Sequence, residues 1–203
     1  MLWGGSDGGL ELRRAGDGSA TLSGRFPYNR AAVLSDGGQT GRPRKEVIAS
    51  RAFSYRVEDL TEDIHFLVGH DYGKPLASRS AGTLNLTDGD DALIFSVILT
   101  PEIQRTTWGA DFLAAMAAGL VGGISPGFRI PPKRAVAEAE KVENEDPKLG
   151  TAIIRTVLAA LLYELSAVTR PAYPSTQIEA RCWSHDFSAD PLRKFAHPHQ
   201  RWR

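Results

Sequence analysis

Hydrophobic positions along the chain fall into short clusters cut by glycine, proline and aspartate. Residues 64–68 and 91–99 are rich in β-branched and aromatic side chains and are bounded by Gly, Asp and Pro, the pattern of buried strands. Asp88-Gly89-Asp90, lying between Leu86 and Leu93, is a hairpin-turn signal. Half of the 20 glycines lie in the first 41 residues, where short apolar stretches such as Leu10-Glu11-Leu12 and Ala20-Thr21-Leu22 alternate with Gly and Asp. That predicts short strands and tight turns, with residues 1–19 a flexible N-terminal segment and the domain proper spanning 20–180.

After residue 99 the character changes. Thr100-Pro101-Glu102 is a helix start, and the Ala-rich stretch from Asp111 to Leu120 lacks a β-branched run, so a helix is expected to end near Gly119 or Gly122. Gly122-Gly123 and Pro131-Pro132 then bracket a segment, 124–130, too short for a helix. Residues 134–150 carry five acidic and three basic side chains and few large apolar ones, and read as a polar insertion. Residues 151–168 fit both periods: Ile153, Val157, Leu161 and Leu165 keep near-helical spacing, whereas the β-branched residues favour a strand. As a strand with strict alternation, the segment puts Leu162, Glu164 and Ser166 on one face, burying a carboxylate that needs a partner. Together these elements describe a mainly β, α+β domain, followed by a basic tail over 181–203.

Charge and composition narrow the function. In 203 residues, 24 Lys+Arg balance 24 Asp+Glu, so no broad field favours nucleic acid or an anionic membrane as partner. Cys182 is the single cysteine, which removes an internal disulfide framework and argues for a reduced, intracellular setting. The longest apolar run is far short of the roughly 20 residues that cross a bilayer, and Met1-Leu2-Trp3-Gly4-Gly5 does not resemble a signal peptide. No cofactor is expected. His197-Pro198-His199 could be read as a metal site, but two histidines without further Cys or Asp nearby make a poor ligand set.

Three sites can carry chemistry. In Gly69-His70-Asp71 a histidine leaves a buried strand at a Gly-flanked turn, where imidazole suits proton transfer; the alternative is a capped surface histidine. In Gly122-Gly123-Ile124-Ser125-Pro126-Gly127-Phe128 the glycines open the approach to a hydroxyl that could serve as nucleophile; the alternative is a Gly/Pro-rich turn. The same residues match G-x-S-x-G, the nucleophile elbow of esterase-like hydrolases, but that motif needs a strand before and a helix after. Glu164, inside an apolar run, could orient an imidazole or form a structural ion pair with Arg155 or Arg170.

Four stretches in order resemble the prohead (capsid maturation) proteases of tailed bacteriophages, related in fold to the herpesvirus assemblins. Leu22-Ser23-Gly24-Arg25-Phe26-Pro27-Tyr28-Asn29 followed by Glu46-Val47-Ile48-Ala49-Ser50-Arg51-Ala52-Phe53 is similar to the family's opening, with Arg51 where Gly is common. Phe66-Leu67-Val68-Gly69-His70-Asp71 resembles its N-H-D element with Gly69 for Asn, Ser125-Pro126-Gly127-Phe128 its S-x-G-F element, and Glu164-Leu165-Ser166-Ala167-Val168 with Pro171-Ala172 its E-x-S-x-V-x-x-P-A end.

The resemblance implies a small β-barrel of about six to seven strands flanked by a few helices. It implies a serine endopeptidase in which Ser125 is the nucleophile, His70 the general base and Glu164 the orienting acid, with Asp71 and Asp111 as competitors for the third role. Oxyanion donors would come from the loop at 169–172. The implied substrate and partner is the major capsid protein, cut at its scaffolding segment inside the assembling prohead in the host cytoplasm, with the protease itself as a further substrate. Assemblins dimerise through a helix, so the helix from Asp111 to Leu120 either supports a homo-oligomer or packs on its own domain. The contrasting reading is a non-catalytic β-barrel scaffolding or structural component of a virion, in which His70, Ser125 and Glu164 do not converge.

Overall fold

The structure is a computed structural model and describes residues 10–171; the tail over 181–203, with Cys182, His197 and His199, lies outside the described residues. Within them the chain forms, in order, β1 (Glu11–Arg14), β2 (Ala20–Pro27), β3 (Ala31–Ser35), β4 (Arg44–Ile48), α1 (Ser54–Glu58), β5 (His65–Val68), β6 (Asp71–Ser78), β7 (Leu84–Asp88), β8 (Ala92–Leu99), α2 (Pro101–Arg105), α3 (Thr107–Ala117), β9 (Gly123–Arg129), β10 (Glu140–Asn144), β11 (Ile153–Val157) and β12 (Leu161–Val168). The protein is mainly β with three helices among the described residues. No helix among them is long and apolar enough to cross a membrane.

Local sequence accounts for much of this. In β2 the buried residues Ala20, Leu22 and Phe26 all fall on one alternate face, and in β8 Leu93, Phe95, Val97 and Leu99 are buried while Ile94 is exposed, the period of a strand with one face inward. Gly24 pairs with Phe95, whose ring occupies the space a side chain at position 24 would need. The β7–β8 hairpin turns through Asp88-Gly89-Asp90, and Gly89 N–H donates to Ala92 O at 3.0 Å. Thr100 caps α2 by accepting from Ile103 N–H with Pro101 in the first turn, and Thr106 caps α3 by accepting from Gly109 N–H. The helix therefore starts earlier than Asp111, and the chain leaves it through Gly119 at φ +70°.

The ambiguous stretch 151–168 resolves into two strands. β11 pairs parallel with β4 and antiparallel with β10, while β12 pairs parallel with β5 and antiparallel with β9. Strict alternation fails at one point, because the register with β9 shifts between Leu162 and Glu164: Leu162 faces Phe128 and Glu164 faces Gly127, consecutive residues of β9. Tyr163 is the bulged residue. Leu162 consequently points into the core and Glu164 to the opposite face, correcting the expectation that they share one. Residues 11–14, ahead of residue 20, pair as β1 with β2, and within 134–150 Glu140–Asn144 forms β10, exposed along its whole length.

Among the described residues the ladders form three four-stranded sheets, ordered β1-β2-β8-β7, β10-β11-β4-β3 and β6-β5-β12-β9, and none closes into a barrel. The parallel pairs β4–β11 and β5–β12 join distant parts of the chain and leave each sheet with two edge strands, where a barrel would have none. One core joins the three sheets, drawing on Leu22, Ile48, Phe66, Phe95, Val157 and Leu165. At its centre the fully buried Phe53, just before α1, meets the rings of Phe26 (6.2 Å), Tyr28 (6.0 Å) and Phe128 (5.7 Å). Phe53→Ala should lower unfolding free energy by roughly 3–5 kcal/mol, the cost of a large aromatic deleted from a core that cannot collapse, measured by chemical denaturation. The contact with Phe128 makes the strand that carries Ser125 part of this core.

Candidate active site

The sheet β6-β5-β12-β9 carries all three candidate residues. His70 belongs to the two-residue turn between β5 and β6, where Val68 pairs with Asp71 and both Gly69 (φ +63°) and His70 (φ +62°) are left-handed. Two positive φ values in succession make the tight turn whose twist matches flanking strands. For a residue with a Cβ that conformation costs about 1 kcal/mol, so something must hold His70 there. Gly69 N–H donates to Ala167 O (3.0 Å), and His70 N–H donates to the Ser166 hydroxyl (2.9 Å). Both acceptors are on β12, so the turn is folded back over that strand.

Glu164 lies beneath this turn, only 3% exposed. Its Oε1 is 2.7 Å from His70 Nδ1, and its Oε2 accepts from the Ser166 hydroxyl at 2.6 Å. Because the Ser166 oxygen already accepts from His70 N–H, its single proton is directed to Glu164. The contacts close a ring: His70 backbone to Ser166, Ser166 to Glu164, Glu164 to the His70 imidazole. A carboxylate only accepts, so in the neutral imidazole Nδ1 carries the ring proton and Nε2 presents its lone pair, on a side chain 46% exposed. The carboxylate has room because residue 127 is glycine, since a Cβ there would collide with Oε1 and lie 2.6 Å from the carboxyl carbon.

Ser125 is in the middle of β9, an edge strand of this sheet among the described residues, which is where a strand tolerates Pro126. It is in register with Ser166, as Gly127 is with Glu164. Registered residues project on one face, so Ser125 shares a face with Glu164 and Ser166, while Phe128 turns to the core. Gly122, just ahead of β9, donates its N–H to Val168 O (2.8 Å), and a Cβ there would strike Thr169 O. Among the described residues no hydrogen bond joins the Ser125 hydroxyl to His70. Tyr72 flanks the site, its ring 5.8 Å from that of His65; burial, and then the charge of Glu164, raise its hydroxyl above the usual tyrosine range.

The competing assignments fare differently. Asp71 is exposed; it accepts from Gly73 N–H (2.8 Å) and faces Lys74 Nζ (3.3 Å), contacts that lower its carboxyl from the ordinary value and leave it unattached to the imidazole. Asp111 is exposed on α3. Glu164 pairs with neither Arg155, which bonds Glu46 (2.9 Å) and Glu140 (2.7 Å), nor Arg170, which is exposed. Ser125 lies inside a strand, β9, and the next element among the described residues is the strand β10 where an elbow needs a helix, so the elbow geometry is not formed. Among the described residues no group of three or more His, Cys, Asp or Glu could hold a metal ion. The structural parts played by Ser166 and Gly127 were not read from the sequence. The signal was present, because each stands two residues from a candidate, the spacing that puts strand side chains on one face.

A family model describing caudovirus prohead serine proteases matches residues 31–190. No curated protein and no solved structure matches the chain.

The geometry makes a prediction that needs no assay of activity. Glu164→Leu should destabilise the fold by about 1–3 kcal/mol, because it strands the Ser166 hydroxyl and His70 Nδ1–H, whereas Asp71→Ala should stay within about 0.5 kcal/mol of the parent, both read from denaturation midpoints.

Proposed function

The chain belongs to the family of caudovirus prohead serine proteases, and on that premise we propose that Ser125, His70 and Glu164 form its triad and that its task is capsid maturation. The observation that carries this reading is the 2.7 Å contact between His70 Nδ1 and the buried carboxylate of Glu164. It gives the imidazole the tautomer a general base needs, with Nε2 free to accept a proton.

Catalysis then runs through protein groups and water. Nε2 takes the Ser125 hydroxyl proton as Oγ bonds to the scissile carbonyl carbon, whose π electrons move to oxygen. The positive charge on the imidazolium is balanced by Glu164. Collapse of the tetrahedral intermediate breaks the C–N bond as Nε2 passes its proton to the leaving amine, and a water activated by the same nitrogen hydrolyses the acyl-enzyme. The first step requires Ser125 Oγ and Nε2 to close to hydrogen-bond distance, a tightening that triads undergo when substrate binds. The oxyanion donors are assigned to the backbone of the 169–172 loop, of which residue 172 lies outside the described residues; losing one such donor costs roughly 10²–10³ in rate.

The substrate is an extended segment joining the scaffolding part of the major capsid protein to its mature part, and the enzyme also cuts its own chain. The site of action is the interior of the assembling prohead in the host cytoplasm.

Co-expression with the major capsid protein of the same phage, followed by intact-mass measurement, tests the reading. The parent chain should remove an N-terminal capsid segment. Ser125→Ala and His70→Ala should each abolish the cut, with losses near 10⁶-fold that do not add, and Glu164→Gln should retain measurable activity, down by about 10⁴. Normal cleavage by Ser125→Ala would remove the nucleophile assignment. Complete loss in Asp71→Asn together with a silent Glu164→Gln would move the third role to Asp71. Co-assembly with capsid protein, without cleavage by any form even in closed shells, would favour a structural component.

A further inference from the structure

We infer that Ser166 and Gly127 are positioning residues of the catalytic site. The Ser166 hydroxyl ties the carboxylate of Glu164 to the backbone of His70, and the absent side chain of residue 127 is the space that carboxylate occupies. The inference rests on the triad reading above.

Ser166 is fully buried, yet its hydroxyl serves two partners from different elements: it accepts from His70 N–H (2.9 Å) and donates to Glu164 Oε2 (2.6 Å). Its Cα is also in register with Ser125. One oxygen thus touches the backbone of the base and the carboxylate that orients it, on a residue paired with the nucleophile. Without that oxygen the left-handed turn at His70 loses its side-chain tie, and Oε2 loses its only hydrogen-bond donor among the described residues. The carboxylate can then rotate about its terminal bond, which is a soft torsion, and the imidazole is no longer held in one orientation.

Gly127 acts by exclusion. It is in register with Glu164, and the nearest atoms to a Cβ built on it are Oε1, the carboxyl carbon and Cγ (2.9 Å) of that residue. Oε1 is the atom that meets His70 Nδ1. Even one methyl group at position 127 must therefore push the carboxylate off the imidazole. The backbone φ at Gly127 is not left-handed, so an alanine is acceptable to the main chain and the effect falls on the carboxylate.

Two readouts test this on the full chain. The proton on His70 Nδ1, hydrogen-bonded to a carboxylate, should give a far-downfield proton resonance in the Ser125→Ala background, which suppresses self-cleavage. Gly127→Ala and Ser166→Ala should each shift or remove that resonance while the amide spectrum stays native. In capsid-protein cleavage, Ser166→Ala should lower kcat roughly 10- to 100-fold with little change in KM, the loss of one charge-assisted hydrogen bond. Gly127→Ala should fall to the level of Glu164→Ala, and the double variant should fall no further. An unshifted resonance with parental kcat in either single variant, or losses that add in the double variant, would overturn the inference. Ser166→Ala removes one oxygen from an intact strand and decides the matter if Gly127→Ala does not fold. The resonance arm does not depend on cleavage, so failure of the triad reading, seen as normal cutting by Ser125→Ala, is distinguishable from failure of this one.

Discussion

A carboxylate taken out of water is tolerated only where donors replace the water, and Glu164 is met by the His70 imidazole on one oxygen and the Ser166 hydroxyl on the other. The rest of the site follows from that requirement. The donors come from a turn and from the strand itself, so the turn between β5 and β6 must fold back over β12, and it does so by placing both of its residues in left-handed conformation. The strand on the other side, β9, must leave room above the carboxylate, and it does so with Gly127. Neither feature is needed by the hydrophobic core.

Core and site are instead separated by the two faces of one sheet. Leu165 and Ala167 of β12 face the core, while Glu164 and Ser166 face the turn. The bulge at Tyr163 lets a single strand satisfy both, since it reverses the alternation between Leu162, which packs opposite Phe128, and Glu164. On β9 the same division places Phe128 against Phe53 and Ser125 beside Ser166. The candidate nucleophile is therefore carried by a strand braced through an aromatic cluster, and the candidate base by a turn tied to the neighbouring strand through two hydrogen bonds. Site geometry held by regular elements is stiffer than geometry held by loops alone.

The strands at 64–68 and 91–99 and the start of α2 were legible because their signals are local: β-branched runs between Gly, Asp and Pro, and a Thr-Pro helix start. The three candidates were legible as chemically suited residues at strand ends or among glycines, and the order of the motifs tied them together. What escaped was non-local. Periodicity assigns a face but not a partner, so the parallel pairs β4–β11 and β5–β12 could not be read, and the expectation of a small β-barrel came from resemblance instead. The bulge at Tyr163 breaks the very period from which the face of Glu164 was inferred. The pairing of Glu164 with His70 spans 94 positions, and Ser166 and Gly127, though inside the motifs, carry no titratable group that would mark them as part of a site.

Ser125 acting as a nucleophile activated by His70 is the central claim. A fluorophosphonate reagent, which forms a stable adduct only with an activated serine, tests this most directly when applied to the full chain in capsid-protein assemblies undergoing cleavage, with the adduct located by peptide mass mapping. One adduct is expected, on Ser125, absent from His70→Ala and strongly slowed in Glu164→Gln. An adduct on a different serine, or assemblies that complete cleavage while Ser125 stays unlabelled, would contradict it.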